Sequence, residues 1–403
     1  MTPEMHDQNR KLRLWEPHIN AFVELCPNDV SREGPLAGLR VGVKDVIDVA
    51  DVPTRNGSET CRDAAPAVRD APVVARLRDA GAQIFGKTVT TEFAFTDPTD
   101  CRNPYDQSRS PGGSSSGSGA AVAAGLADIA LGTQTAGSLC RPAAYCGCVG
   151  LKPTFGVLPT VGVTSLAPSF DTVGIIAGSV ARAQQAFDVL GSLVIPRMSD
   201  TPEVVISGLW QTRARPDGDT LAGLSGASRA LTELGADVTE APLTADVASI
   251  VLAHRTVMNH EAFVAHGAML TDGRSRFLKP KFLTGLRSGA AVSPDKVEEA
   301  KALLIAEKRK FWVGLEGVDV VLTLPVPEGA PLFDDTTGFQ DWLTPWTVFG
   351  GPLICLPWGL DRLGRPRSVM LAAPPGRDAY LLATAAKLER AAPRLPPPQL
   401  PKN

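Results

Sequence analysis

Two serines in glycine-rich surroundings carry the clearest chemical potential in this chain. Ser114 lies in SPGGSSSGSG and Ser138 in GTQTAGSLCRP, 24 residues further on, with the small-residue run AAVAAGL and the apolar IALGT between them. Loops of Gly and Ser let the backbone approach a ligand closely and turn several N–H groups toward one point, because glycine accepts φ/ψ values that other residues avoid. A flexible linker would not continue into AAVAAGL and IALGT, so the loops flank one short helix–strand connection and can line a single pocket. A serine hydroxyl is a competent nucleophile only when a base removes its proton as it attacks. Lysine can be that base if burial keeps its amine neutral near pH 7.

Such loops need strands and helices to hold them. Residues 1–30 read as a polar start and a short helix. From Leu39 the alternation Val41, Val43, Val46, Val49 predicts a strand leading into a turn at Asp51–Pro53. Asp70 to Ala80 reads as a helix with Pro72 in its first turn and Gly81 as its stop, followed by a strand from Ala82 to Gly86. Gly174–Ala177 is strand-like, and Ser179 can cap a helix carrying Val180, Ala183, Phe187 and Leu190. Beyond Pro196 the character changes. Residues 198–220 mix strand-like VVISGLW with a polar loop, and Leu221–Leu234 reads as a helix before a strand at Ala236–Glu240. A helix from Ser293 to about Leu315, strands at Val318–Leu324 and Leu353–Leu356, and a helix over Ala379–Arg390 complete the pattern. The tail AAPRLPPPQLPKN should be extended or disordered. Alternating strands and helices argue for an α/β fold.

Composition narrows the partners. The 403 residues carry a net charge of −3, and a pI near 6.0 gives no basic footprint for nucleic acid or an anionic membrane. The seven cysteines show no zinc-like spacing, and free thiols in a reducing compartment fit better than a disulfide framework. The N-terminus lacks the apolar core of a signal peptide and there is no 18-residue apolar run, so a cytoplasmic location is expected.

The stretch Ser110–Phe155 resembles the signature of the amidase signature family, serine amidases with a Ser–Ser–Lys triad. GPLAGLRVGVKDVID, GAQIFGKTVTTEFAF, PWTVFGGPLICLPWGL and LAAPPGRDAYLL resemble further family segments in the right order; residues 198–317 have no clear counterpart. The resemblance implies one large α/β domain over residues 1–390, with a mixed sheet covered by helices on both faces. Its signature core would span about 34–180, its variable substrate side about 198–317, and 391–403 would be a Pro-rich tail. It implies that neutral Lys44 takes a proton from Ser114, which takes one from Ser138, the residue that attacks the amide and becomes acylated. It also implies an oxyanion hole from the backbone N–H groups of Thr135, Ala136, Gly137 and Ser138, with no metal and no cofactor. A small-molecule amide is the expected substrate, and a homodimer is compatible with the sequence. Glutaminase activity as the A subunit of a tRNA-dependent amidotransferase, or a non-catalytic binding relative, are the alternatives.

Two departures from the commonest family pattern bear on substrate. Where many members have Asp-x-Gly-Gly-Ser-Ile-Arg, this chain has Gln134-Thr-Ala-Gly-Ser138-Leu-Cys140-Arg141. The shifted Arg141 resembles a malonamidase-like variant, in which it would hold a substrate carboxylate bidentately; a structural ion pair is the other reading. Thr347 stands where members often carry Asn and would alter a pocket wall. Glu92 is expected to be a buried structural carboxylate bonded to backbone N–H groups. All five histidines (His6, His18, His254, His260, His266) lie outside the family-like segments. The last three are spaced by six, which spreads them roughly 240° apart around a helix, so they read as surface or pocket-lining residues rather than metal ligands.

Overall fold

The computed structural model describes residues 3–26, 29–191, 203–333 and 336–400, with side chains from residue 10 onward. The readings made for residues 1–2, 27–28, 198–202 and 401–403, and for the His6 side chain, lie outside the described residues.

The strands among these residues are β1 (Phe22–Leu25), β2 (Arg40–Lys44), β3 (Gln83–Thr88), β4 (Ile129–Gln134), β5 (Val149–Lys152), β6 (Thr172–Ala177), β7 (Val204–Ser207), β8 (Asp237–Glu240), β9 (Val320–Thr323), β10 (Leu353–Leu360) and β11 (Pro366–Ala372). They form one 11-stranded sheet in the order β1-β3-β2-β4-β6-β5-β10-β11-β9-β7-β8. β2 runs parallel to β3 and β4, and β7 to β8 and β9; the other pairs are antiparallel. β2, β4, β5, β6 and β9 are buried at every residue. A sheet with one wet face would show alternation instead, so helices cover both faces. The expected single α/β domain with a mixed sheet is what the chain forms.

Local signals explain most boundaries. The helix Pro72–Asp79 starts on its proline, and the chain leaves it through Gly81 at φ +97. Ser179 Oγ accepts from Arg182 N at 3.2 Å at the head of the helix Val180–Gly191. The helices Pro294–Gly314 and Asp378–Ala391 fall where expected. Three elements differ from the expectation. β2 ends at Lys44 because Val46 N and Ile47 N both turn back to Lys44 O, at 2.8 and 2.9 Å, so Val46 and Val49 lie beyond the strand. The N-terminal helix, Pro3–Ile19, is 17 residues long rather than short. The tail has no regular structure over 393–400 but lies on the body, where Tyr105 Oη donates to Pro396 O at 3.0 Å. All seven cysteines are free, and no helix of the described residues is long and apolar enough to cross a membrane.

The variable region contributes two helices that the sequence reading did not identify, Val247–His266 and Pro280–Ala290. They meet backbone to backbone at Gly289, where an added Cβ would sit 1.9 Å from Asn259 O. Gly289→Ala must therefore push the helices apart. We expect it to cost about 1–3 kcal/mol, as overpacking does, read as a lower unfolding midpoint. An unchanged midpoint would contradict this packing.

Candidate active site

Lys44 ends β2, between β3 and β4, and its side chain is wholly buried. Its Nζ lies 2.7 Å from Ser114 Oγ and 2.7 Å from Thr133 Oγ1, the latter at the end of β4. Neither partner is charged. The acid next to it in sequence, Asp45, is taken up by Lys87 in a fully buried ion pair at 2.7 Å. Burial pulls Lys44 from its ordinary value near 10.5 down to about 7; the negative charge of Asp171 opposes that shift and the positive charge of Arg141 adds to it.

Ser114 follows a cis peptide bond with Gly113 and is fully buried just before the helix Ser116–Ala123. Thr91 N donates to Ser114 O at 3.2 Å, and Ser115 N donates to Ser138 O at 3.1 Å, which ties the two serine loops together. Ser116 Oγ donates to Gly112 O at 2.7 Å and Ser118 Oγ to Leu131 O at 3.0 Å. Both bonds tie this stretch to neighbouring backbone. The approach of the loops depends on an absent side chain, since a Cβ on Gly132 would stand 2.8 Å from Ser115 Oγ.

The second loop is pinned through its carbonyls. Thr135 O is bonded by His254 Nε2 at 2.8 Å, Ala136 O accepts from Thr347 Oγ1 at 2.5 Å, and Gly137 O accepts from Arg141 N at 3.0 Å. In a trans peptide the following N–H points opposite to the carbonyl, so the N–H groups of Ala136, Gly137 and Ser138 face away from these interior donors. None of the three N–H groups has an acceptor among the described residues. Thr135 is held further by its hydroxyl, which donates to Asp171 at 2.5 Å. Gln134 closes the loop: its Oε1 accepts from Leu139 N (3.1 Å) and Cys140 N (3.0 Å), and its Nε2 donates to Thr347 Oγ1 (3.0 Å). Thr347 also lines a cavity of about 530 Å³ together with Phe155, Phe170 and Lys308.

Arg141 is turned into the protein. Its Nε and Nη2 donate to Gly113 O at 3.1 and 2.6 Å, and its Nη1 donates to Gly338 O at 2.8 Å. It is buried among neutral acceptors, without the ion pair that the structural reading expected among the described residues, and burial lowers it to about 10. Glu92 is fully buried, accepting from Ser58 Oγ and from Lys279 N at 2.7 Å each, which is the structural arrangement expected of it.

The sequence profile described as Amidase matches residues 27–382. The chain belongs to the amidase family. The A subunit of glutamyl-tRNA(Gln) amidotransferase from Synechococcus sp. is 30% identical over 96% of this chain and 93% of its own length. The protein of that name from Natronomonas pharaonis is 46% identical over 43% of this chain, which thus spans less than half of that relative, 42% of its length. A solved amidase structure superposes with a TM-score of 0.86 at 27% identity, covering 96% of this chain and 95% of that one.

In this amidase-family chain three supporting residues escaped the sequence reading: Thr133, Asp171 and His254. Thr133 stood inside the second-loop stretch and could have been found as the strand neighbour of Lys44. Asp171 and His254 gave no local signal. His254, expected at the surface or lining a pocket, is not at the surface: it is 3% exposed, its ring 4.3 Å from that of the cavity-lining Phe170. His266 bonds Ser165 O at 2.7 Å, and no metal-binding group of His, Cys, Asp or Glu forms among the described residues. Burial lowers His254 to about 4. The unfolded chain protonates this ring near 6.5, so its neutral burial stabilises the fold above that pH. That contribution is lost as pH falls toward 4. The unfolding midpoint should drop between pH 7 and 5, and His254→Gln should flatten part of the drop. An identical slope in the variant would contradict a buried neutral His254.

Proposed function

We propose that this chain is a serine amidase that hydrolyses the C–N bond of a small linear amide through an acyl-enzyme on Ser138. The observation that carries the reading is the buried Lys44 amine, shared between two hydroxyls and drawn toward neutrality. In the proposed sequence Lys44 takes the Ser114 proton as Ser114 takes that of Ser138. Ser138 Oγ then bonds to the amide carbon, and the carbonyl electron pair moves onto oxygen. The N–H groups of Thr135, Ala136, Gly137 and Ser138 would receive that oxyanion, and such donors are worth roughly 3–4 kcal/mol each. As the C–N bond breaks, the proton returns through Ser114 to the leaving nitrogen. Water then cleaves the ester by the same relay, releasing the acid, with no cofactor in the balance. Seven free thiols support a reducing, cytoplasmic setting.

The substrate class we propose is an amide whose acyl group ends in a carboxylate. The support is Arg141, a buried guanidinium beside the Ser114 loop whose hydrogen-bond acceptors are all neutral, with only the longer-range charge of Asp341 opposing its burial, so that a substrate carboxylate would add compensation. The Synechococcus relative supports a second reading, the glutaminase component of an amidotransferase. Ammonia release from glutamine only with co-purified partner proteins would favour it.

A fluorophosphonate should label Ser138 and leave Ser114 unmodified, and Ser138→Ala should abolish hydrolysis. Lys44→Ala should leave at most a trace of labelling. The labelling rate should rise with pH through about 7, as Lys44 loses its proton. Peptide mapping that puts the adduct on Ser114, or a Lys44→Ala chain that labels normally at pH 7, would contradict the relay.

Arg141→Ala should raise KM for a dicarboxylic half-amide about ten- to a hundredfold, the loss of one charge-assisted hydrogen bond, and spare a neutral amide of equal length. Equal losses on both substrates with a lowered midpoint would assign Arg141 to bracing Gly113 and Gly338 alone.

A further inference from the structure

We propose that Gln134 and Thr347 form one matched positioning pair, whose complementary donors and acceptors hold the peptides around Ser138 in register. This inference rests on the acyl-enzyme reading above for its kinetic consequence, and on hydrogen-bond counting for its structure. A threonine hydroxyl has a single proton. Here it is given to Ala136 O, a carbonyl that can only accept. Toward residue 134, Thr347 can therefore only accept, so residue 134 must present an N–H. Gln134 does so with Nε2. Its orientation is fixed from the other side, because Oε1 takes the N–H groups of Leu139 and Cys140, which can only donate. Gln134 is 0% and Thr347 4% exposed, so no solvent is at hand to rescue an unmatched group.

The two positions are 213 residues apart in sequence; many family members have aspartate at the first, and members often carry asparagine at the second. An aspartate only accepts, whereas an asparagine Nδ2 carries two protons, one for the carboxylate and one for Ala136 O. With that aspartate and asparagine in this geometry, the hydrogen bond between the two positions would run in the opposite direction. A mixed combination loses the match. An aspartate facing Thr347 gives two acceptors competing for one proton, and an asparagine facing Gln134 must serve Nε2 and Ala136 O with two different atoms, Oδ1 and Nδ2, where Thr347 uses one. Because Ala136 O sets the direction of the Gly137 N–H, and Gln134 holds the Leu139 and Cys140 N–H groups, either mismatch disturbs the peptides on both sides of Ser138.

The test is the rate of fluorophosphonate labelling at Ser138 in the full chain, with an unfolding midpoint for each protein. Thr347→Val, which keeps the shape and removes the hydroxyl, should slow labelling about ten- to a hundredfold, and Thr347→Ser should recover most of that loss. Gln134→Asp and Thr347→Asn should each slow labelling to a similar extent. The double variant Gln134→Asp/Thr347→Asn should regain at least half of the combined loss on a logarithmic scale, with the midpoints following the same non-additive pattern. Wild-type labelling in Thr347→Val, or a double variant as slow as the product of the two singles, would overturn the proposal. Absence of label on wild-type Ser138 would count against the acyl-enzyme instead; the pair would then stand or fall on the midpoints alone, where additivity would overturn it.

Discussion

The burial of one amine without a carboxylate partner is the constraint on which the rest of this site depends. A charged ammonium placed in an apolar interior costs more than hydroxyl contacts return, so the group gives up its proton instead. That outcome requires the nearby acids to be engaged elsewhere. Asp45, adjacent in sequence, is neutralised by Lys87. Asp171, whose charge pulls Lys44 back toward protonation, is bonded to the hydroxyls of Thr135 and Ser165 and to the N–H groups of Leu166 and Ala167. Lys44 is left with Ser114 and Thr133.

The fold secures this by covering β2 and β4 on both faces and by making the contacting surfaces small. Gly, Ala and Ser through the two loops let Ser115 reach Ser138 O and let the helix Ser116–Ala123 lie against the sheet; a Cβ on Gly117 would meet Ala21 O at 2.1 Å. The carbonyls of Thr135, Ala136 and Gly137 are each held from within, by a histidine, a threonine and a helix N–H. Three peptides are thereby committed to one orientation before any ligand arrives, which is the preorganisation that acyl transfer exploits. Two of the residues that hold the loop, His254 and Thr347, come from segments far downstream, so the C-terminal half is part of the site rather than a cover over it.

What could be read in the sequence was what is encoded locally. The serine loops, the lysine strand and the helices opened by Pro72 and Pro294 have short-range signatures of composition and periodicity. What could not be read was encoded by contact. The six-residue spacing argued against a metal site on Val247–His266 and was silent about a single buried histidine there, because burial depends on which helix packs opposite. Arg141 was visible as a guanidinium three residues after Ser138. That its fork meets the carbonyls of Gly113 and Gly338 depends on a segment 197 residues away. Gln134 and Thr347 were each visible as departures, yet only the fold reveals that they touch.

The most direct test of the central claim is a proton titration of Lys44 itself. In protein carrying 13C-labelled lysine, the Cε resonance that disappears in Lys44→Met should titrate near pH 7, below that of Lys152, which burial brings to about 8. A Lys44 resonance that stays in its charged position up to pH 10 would mean that the amine is protonated where it should act as a base, and the account of this site would be wrong.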